Sequence, residues 1–164
     1  MEYYIKQRYL DASALVKIFY EEVGSTRIRN FFYSEVHFSP TSICITEAIS
    51  VIKSKWKYNH INETEYLKAT EDLLFEAIEG RIEIDEVTLF STAGIEAVKK
   101  LVIKHSLDWS DALQLETIKR GKYSHHCDGS SSILITADSE LAKAATSESI
   151  RAWNCLKEET PEWA

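Results

Sequence analysis

Apolar positions along the chain follow two spacings. Short runs alternate every second residue or are apolar throughout, while longer stretches repeat every third and fourth residue; these are the marks of strands and helices respectively. Residues 3–10 form a tyrosine-rich β-like run, followed by Asp11 and the helix-like ALVKIFYEE at 14–22. A short helix is expected over Ser25–Tyr33, and Val36–Ser39 reads as a strand closed by Pro40. Residues 41–56 predict a helix, with Ile45, Ala48, Ile49, Ile52 and Trp56 on one stripe. Asn62 and Glu65 are spaced as a capping pair. They open a helix in which Tyr66, Leu67, Thr70, Leu73, Leu74, Ala77 and Ile78 make one mostly apolar stripe, ended by Gly80. Arg81–Thr88 alternates Ile82, Ile84 and Val87 with acidic neighbours, as a strand would. A helix from Phe90 through Val102 and another over Ala112–Lys119 follow. Ile133–Thr136 (ILIT) reads as a strand buried in a parallel sheet. A short helix over Leu141–Ala145 and a strand over Ile150–Asn154 complete the chain.

Strands alternating with helices from end to end indicate an α/β fold with a largely parallel sheet. Ligands of such sheets bind just beyond the carboxyl ends of the strands. Asp11 follows the first strand and Asp138 follows ILIT, so both fall where that rule places a site.

Composition narrows the class. With 164 residues, 45% hydrophobic, 27% charged and five glycines, the chain suits one globular domain. The three cysteines, Cys44, Cys127 and Cys155, are scattered and form no CxxC pair. Neither a disulfide framework nor a zinc ribbon is suggested, and a reduced, cytoplasmic setting is expected. Charged residues interrupt the first ten positions, and no stretch is long enough to span a bilayer, so no membrane association is expected. The net charge of −7 argues against coating nucleic acid through bulk positive charge. It leaves room for an enzyme that meets nucleic acid through bound cations.

Four segments carry acids in suggestive contexts: YLDASALVK (9–17), FSPTSICITEA (38–48), LDWSDALQL (107–115) and ILITADSELAKAA (133–145). In order, spacing and local context they resemble the four acidic motifs of the PIN-domain nucleases, whose best-known members include the VapC-like toxins. The resemblance runs from Tyr9 to about Asn154. It implies a single-domain three-layer α/β/α sandwich with a mainly parallel central sheet over residues 1–156, with 157–164 as a C-terminal tail. It also implies a metal-dependent endoribonuclease using Mg²⁺ or Mn²⁺, with Asp11, Glu47, Asp111 and Asp138 as catalytic and metal-binding residues. Ser13 and Thr136 are plausible hydroxyls orienting these carboxylates, and Asp108 is a possible fifth member. RNA is the implied substrate, with homodimerisation and a small antitoxin as further expectations.

The chemistry supports these residue types. Hydrolysing a phosphodiester needs an activated water and neutralisation of charge on the phosphoryl oxygens, and hard divalent cations held by carboxylates supply both. Clustered carboxylates imply either a cation or a raised pKa in at least one member. Each Asp also has a plain alternative as a helix cap, with Asp108 the N-cap and Asp111 a first-turn acid of one helix. Glu47 is more telling, flanked by ICIT and AISVI.

Other signals are weaker. His125, His126, Cys127 and Asp128, in the segment 121–132, lack the second spaced pair of a zinc site, and a flexible surface loop is the preferred reading. Lys53, Lys55, Lys57 and the run Lys119–Lys122 are candidate phosphate contacts, and Lys17 stands close after Asp11 without an assignable role. The four tryptophans show no regular spacing and suit packing better than base stacking. A catalytically inactive PIN-like scaffold is the main rival. A receiver-like phosphoacceptor domain ranks below it, because the acids extend to Asp138 and no lysine follows a late strand.

Overall fold

The computed structural model describes residues 5–125 and 131–164. Its sheet has three parallel strands in the order β1 (Lys6–Leu10), β2 (Ser131–Thr136), β3 (Arg151–Asn154). Lys6 to Leu10 lie opposite Ser131 to Ile135, and Ile133 to Thr136 opposite Arg151 to Asn154. Between β1 and β2 run α1 (Ala12–Phe19), α2 (Ser25–Ser34), α3 (Ser42–Lys57), α4 (Glu63–Ile78), α5 (Thr92–His105) and α6 (Trp109–Arg120). The single helix α7 (Ser139–Ser147) joins β2 to β3. Parallel neighbours require such crossovers.

Side chains on a strand alternate between faces, and here both faces are covered. Leu10, Ile133, Ile135 and Trp153 pack with α1–α4, while Tyr9 and Leu134 pack with α5–α7. The result is the expected single-domain α/β/α sandwich. Polar contacts tie the layers together. Tyr9 donates to Asp85 Oδ2 at 2.6 Å, and the Lys122 amide donates to Asp85 Oδ1 at 3.2 Å. One buried carboxylate thus pins both the segment before α5 and the turn after α6 to β1.

Two expected strands shrink to single bridges. Phe38 bridges Arg8 on one side and Ile82 on the other, and beyond these bridges, among the described residues, only the Asp85 amide reaches across, to the Pro40 carbonyl at 3.2 Å. His37 has φ 63°, a left-handed conformation that breaks the extended run, and Pro40 has no amide to continue a ladder. Around Ile82, the Arg81 amide is taken by Glu76 Oε2 and the Ile82 amide by the Glu76 carbonyl. The alternation of Ile84 and Val87 therefore reflects irregular chain lying on the sheet edge.

Helix ends shift as well. α1 stops at Phe19, so Tyr20–Glu22 leave the helix, and α5 begins at Thr92, capped by Ser91, rather than at Phe90. The Asn62–Glu65 capping box forms with both bonds present. The buried face of α4 is Ala69, Leu73 and Glu76, so Leu67 and Ile78 of the expected stripe face outward. Near the C-terminal end the chain returns to β1, where Lys6 Nζ and Arg8 reach the Ala164 carbonyl oxygen at 3.1 and 3.3 Å. Among the described residues no helix is long and apolar enough to cross a membrane. The possible zinc ligands and the loop reading of 121–132 fall largely on residues 126–130, outside the described residues.

Candidate active site

β1 and β2 are neighbours, so the residues just past them are neighbours too. The Asp11 amide donates to the Ile135 carbonyl at 3.2 Å, which sets Asp11 beside Thr136. Asp11 is buried and caps α1, its Oδ1 accepting from the Ala14 amide at 2.8 Å. Thr136 Oγ1 donates to Asp11 Oδ2 at 2.7 Å, and Ser13 Oγ lies 2.9 and 3.0 Å from the two Asp11 oxygens. Those hydroxyls are themselves held: the Ala137 amide donates to Ser13 and the Asp138 amide to Thr136, each at 2.8 Å. Asp138 caps α7 through Oδ1, which accepts from the Glu140 and Leu141 amides at 2.6 and 3.2 Å. Its other oxygen takes no hydrogen bond among the described residues.

The remaining acids arrive from helices. Glu47 is exposed on α3 and shares a cleft of about 350 Å³ with Ser13, Ala137 and Asp138. Asp111 lies in the first turn of α6 and is half-buried. Neither Glu47 nor Asp111 has a hydrogen-bond or ion-pair partner among the described residues. Asp108 holds the N-cap position of α6, yet its side chain makes no capping bond. The cap reading therefore fits Asp11 and Asp138, and fits Asp108 by position alone.

Electrostatics show that the acids sense one another. Burial pushes the Asp11 carboxyl up to about 6; donors from Ala14, Thr136 and Ser13 pull against this, and the Asp138 charge adds to it. Asp111 is pushed up to about 7, by burial first and then by Asp11, Glu47, Asp138 and Asp108. Beneath them, the buried Cys44 thiol is raised to about 12 by burial, with Asp11, Asp111 and Glu47 adding to the shift. It donates to Gln114 Oε1 at 3.2 Å. The donor set suits a hard cation in kind. Among the described residues, however, no three His, Cys, Asp or Glu side chains stand close enough together to hold one.

The cleft also contains residues that the sequence did not single out for a role. Lys17 and Glu22 line it beside Val16 and Val51. Outside the cleft, Asn154 at the end of β3 donates to Oγ of Ser139, the residue after Asp138, at 3.2 Å. A strand end at Asn154 was a readable signal; nothing in the run Tyr20-Glu21-Glu22 distinguished Glu22.

The fold and the order of its acids define a nuclease-type α/β domain. The chain matches the PIN domain over residues 8–146, and it belongs to that family. PIN domains are generally nucleases that use divalent metals. Among solved structures, PAE2754 from Pyrobaculum aerophilum resembles the chain with a TM-score of 0.59 and 14% identity, covering 84% of this chain and 78% of that one. At that identity the likeness concerns the fold. No curated protein matches the chain.

Proposed function

We propose that the chain is a Mg²⁺- or Mn²⁺-dependent endoribonuclease whose acids Asp11, Glu47, Asp111 and Asp138 hold the metal. The carrying observation is Asp111, a half-buried carboxylate with no hydrogen-bond or ion-pair partner among the described residues, set among four other acids and raised to about 7. A site of this kind calls for a proton or a cation. All four groups are hard oxygen donors, which favour Mg²⁺ or Mn²⁺ over softer metals. A bound ion would polarise the phosphoryl group and lower the pKa of the attacking water. Ser13 and Thr136 hold both Asp11 oxygens in place, and the Ala137 and Asp138 amides hold those hydroxyls. Val16, Val51 and Ala137 give the cleft apolar walls.

The setting we propose is the toxin of a type II toxin–antitoxin pair, working in the cytoplasm as a homodimer restrained by a small antitoxin. A neighbouring antitoxin-like reading frame is the supporting observation to seek. One finding favours a second reading, a binding or scaffold domain without catalysis: among the described residues, no three ligands stand at metal-holding distance. Calorimetric titration with Mn²⁺ and an RNA cleavage assay with and without a chelator separate the two. Metal binding with chelator-sensitive cleavage supports the nuclease, and absence of both supports the scaffold.

A further inference from the structure

The cleft continues past its acids. Glu47, Val51 and Lys55 are four residues apart on α3 and share one helix face; Ser13 and Lys17 do the same on α1. Lys17 is buried, its Nζ donating to the Val23 carbonyl at 2.9 Å and lying 3.6 Å from Glu22 Oε1. Lys55 Nζ lies 3.5 Å from the other oxygen, Glu22 Oε2, and 4.8 Å from the centroid of the Tyr20 ring. The groove between α1 and α3 is thus acidic at one end and basic at the other, in a chain of net charge −7. Eight residues separate Glu47 from Lys55, about 12 Å along the helix axis.

Glu22 faces two ammonium groups, yet both contacts are longer than an ordinary N–H···O bond. A phosphodiester oxygen could accept from either lysine in a shorter, charge-assisted bond. We infer that Lys17 and Lys55 form a subsite for an RNA phosphate flanking the scissile one, and that Glu22 is the internal anion this phosphate displaces. The inference rests on the proposed function for the position of the scissile phosphate at the acids. The Lys55 ammonium lies over the Tyr20 ring at the mouth of the subsite, so the strand leaves the cleft along the α3 face.

The experiment compares the unaltered chain with Lys55→Ala and Glu22→Gln, each checked by thermal melting, in Mn²⁺-supported cleavage of a single-stranded RNA at several salt concentrations. Lys55→Ala should raise KM roughly fivefold and reduce the slope of log KM against log salt by about 0.7, the share of one phosphate contact. Glu22→Gln should lower KM. A purely structural lysine would leave the salt slope unchanged. Unaltered KM and slope in both folded variants would overturn the subsite while leaving the nuclease reading intact. If the unaltered chain cleaves no RNA, the nuclease reading falls and the subsite is read from anisotropy of a labelled oligouridylate. There, weaker binding by Lys55→Ala and tighter binding by Glu22→Gln support it, and equal affinities overturn it.

Discussion

Two carboxylate sites lie at opposite ends of the parallel strands, and folding treats them in opposite ways. At the end that follows β1 and β2, Asp11 and Asp111 are pushed up to about 6 and about 7, chiefly by burial. At the other end, Glu148 just before β3 is pulled down to about 2 by Lys104, Lys119 and His105. Lys104 and His105 reach its Oε1 at 2.6 and 2.7 Å, and Lys119 reaches Oε2 at 2.5 Å. These side chains come from the last turns of α5 and α6, where the helix dipole also favours the positive charge of Lys104 and Lys119. Glu148 thus joins three helices, whereas Asp111 has no hydrogen-bond or ion-pair partner among the described residues. One end spends its charge on cohesion; the other raises the pKa of its carboxyls, a pattern that suits the proposed active centre.

Replacement of one acid at each end should separate the roles. Asp11→Asn is expected to lower RNA cleavage by roughly a hundredfold or more, with folding retained, because it removes a buried charge and keeps the shape. Normal metal-dependent cleavage by a folded Asp11→Asn chain would end the proposed assignment. The stability-versus-pH curve is the next largest effect. Asp111 titrates higher folded than unfolded, so its contribution is fully present below its ordinary value near 3.8 and is lost as pH rises through about 7. Asp111→Asn should therefore stabilise the metal-free chain at pH 8 by about 2–4 kcal/mol in denaturant melts. Saturating Mn²⁺ should erase much of that difference by stabilising the unaltered chain.

Glu148→Gln should act in the opposite sense. Its lowered pKa contributes stability above its ordinary value near 4.5 that disappears as pH falls through about 2. The variant is expected to cost about 1–3 kcal/mol at pH 7 and nothing near pH 2, with cleavage of the folded fraction unchanged. Thr136→Val should be the gentlest change. It deletes the donor that holds Asp11 Oδ2, so the acidic limb of the cleavage pH profile should move upward by less than about 1 unit.

Much of this contrast was readable along the chain, though unevenly. The order strand–Asp11, helix–Glu47, helix start–Asp111, strand–Asp138 needs only local periodicity, and each acid occupies the kind of element expected of it. The strands expected at 36–39 and 81–88 were less readable. Alternation of apolar residues cannot reveal that His37 turns left-handed or that Glu76 captures the Arg81 amide. α4 shows a related effect, because a broad apolar stripe does not say which part faces the core, and packing selected Ala69 and Leu73. The pairing of Lys17 and Lys55 through Glu22 was hidden altogether, since it depends on α1 lying beside α3.

The two capping aspartates carry a consequence for descent. Asp11 and Asp138 each begin a helix by accepting backbone amides, so selection for folding alone would preserve them in a PIN domain without catalysis. Glu47 and Asp111 make no such bond among the described residues and would be the first to drift. An intact pair at 11 and 138 is therefore poor testimony to a living enzyme, and the fates of positions 47 and 111 tell an active descendant from a retired one.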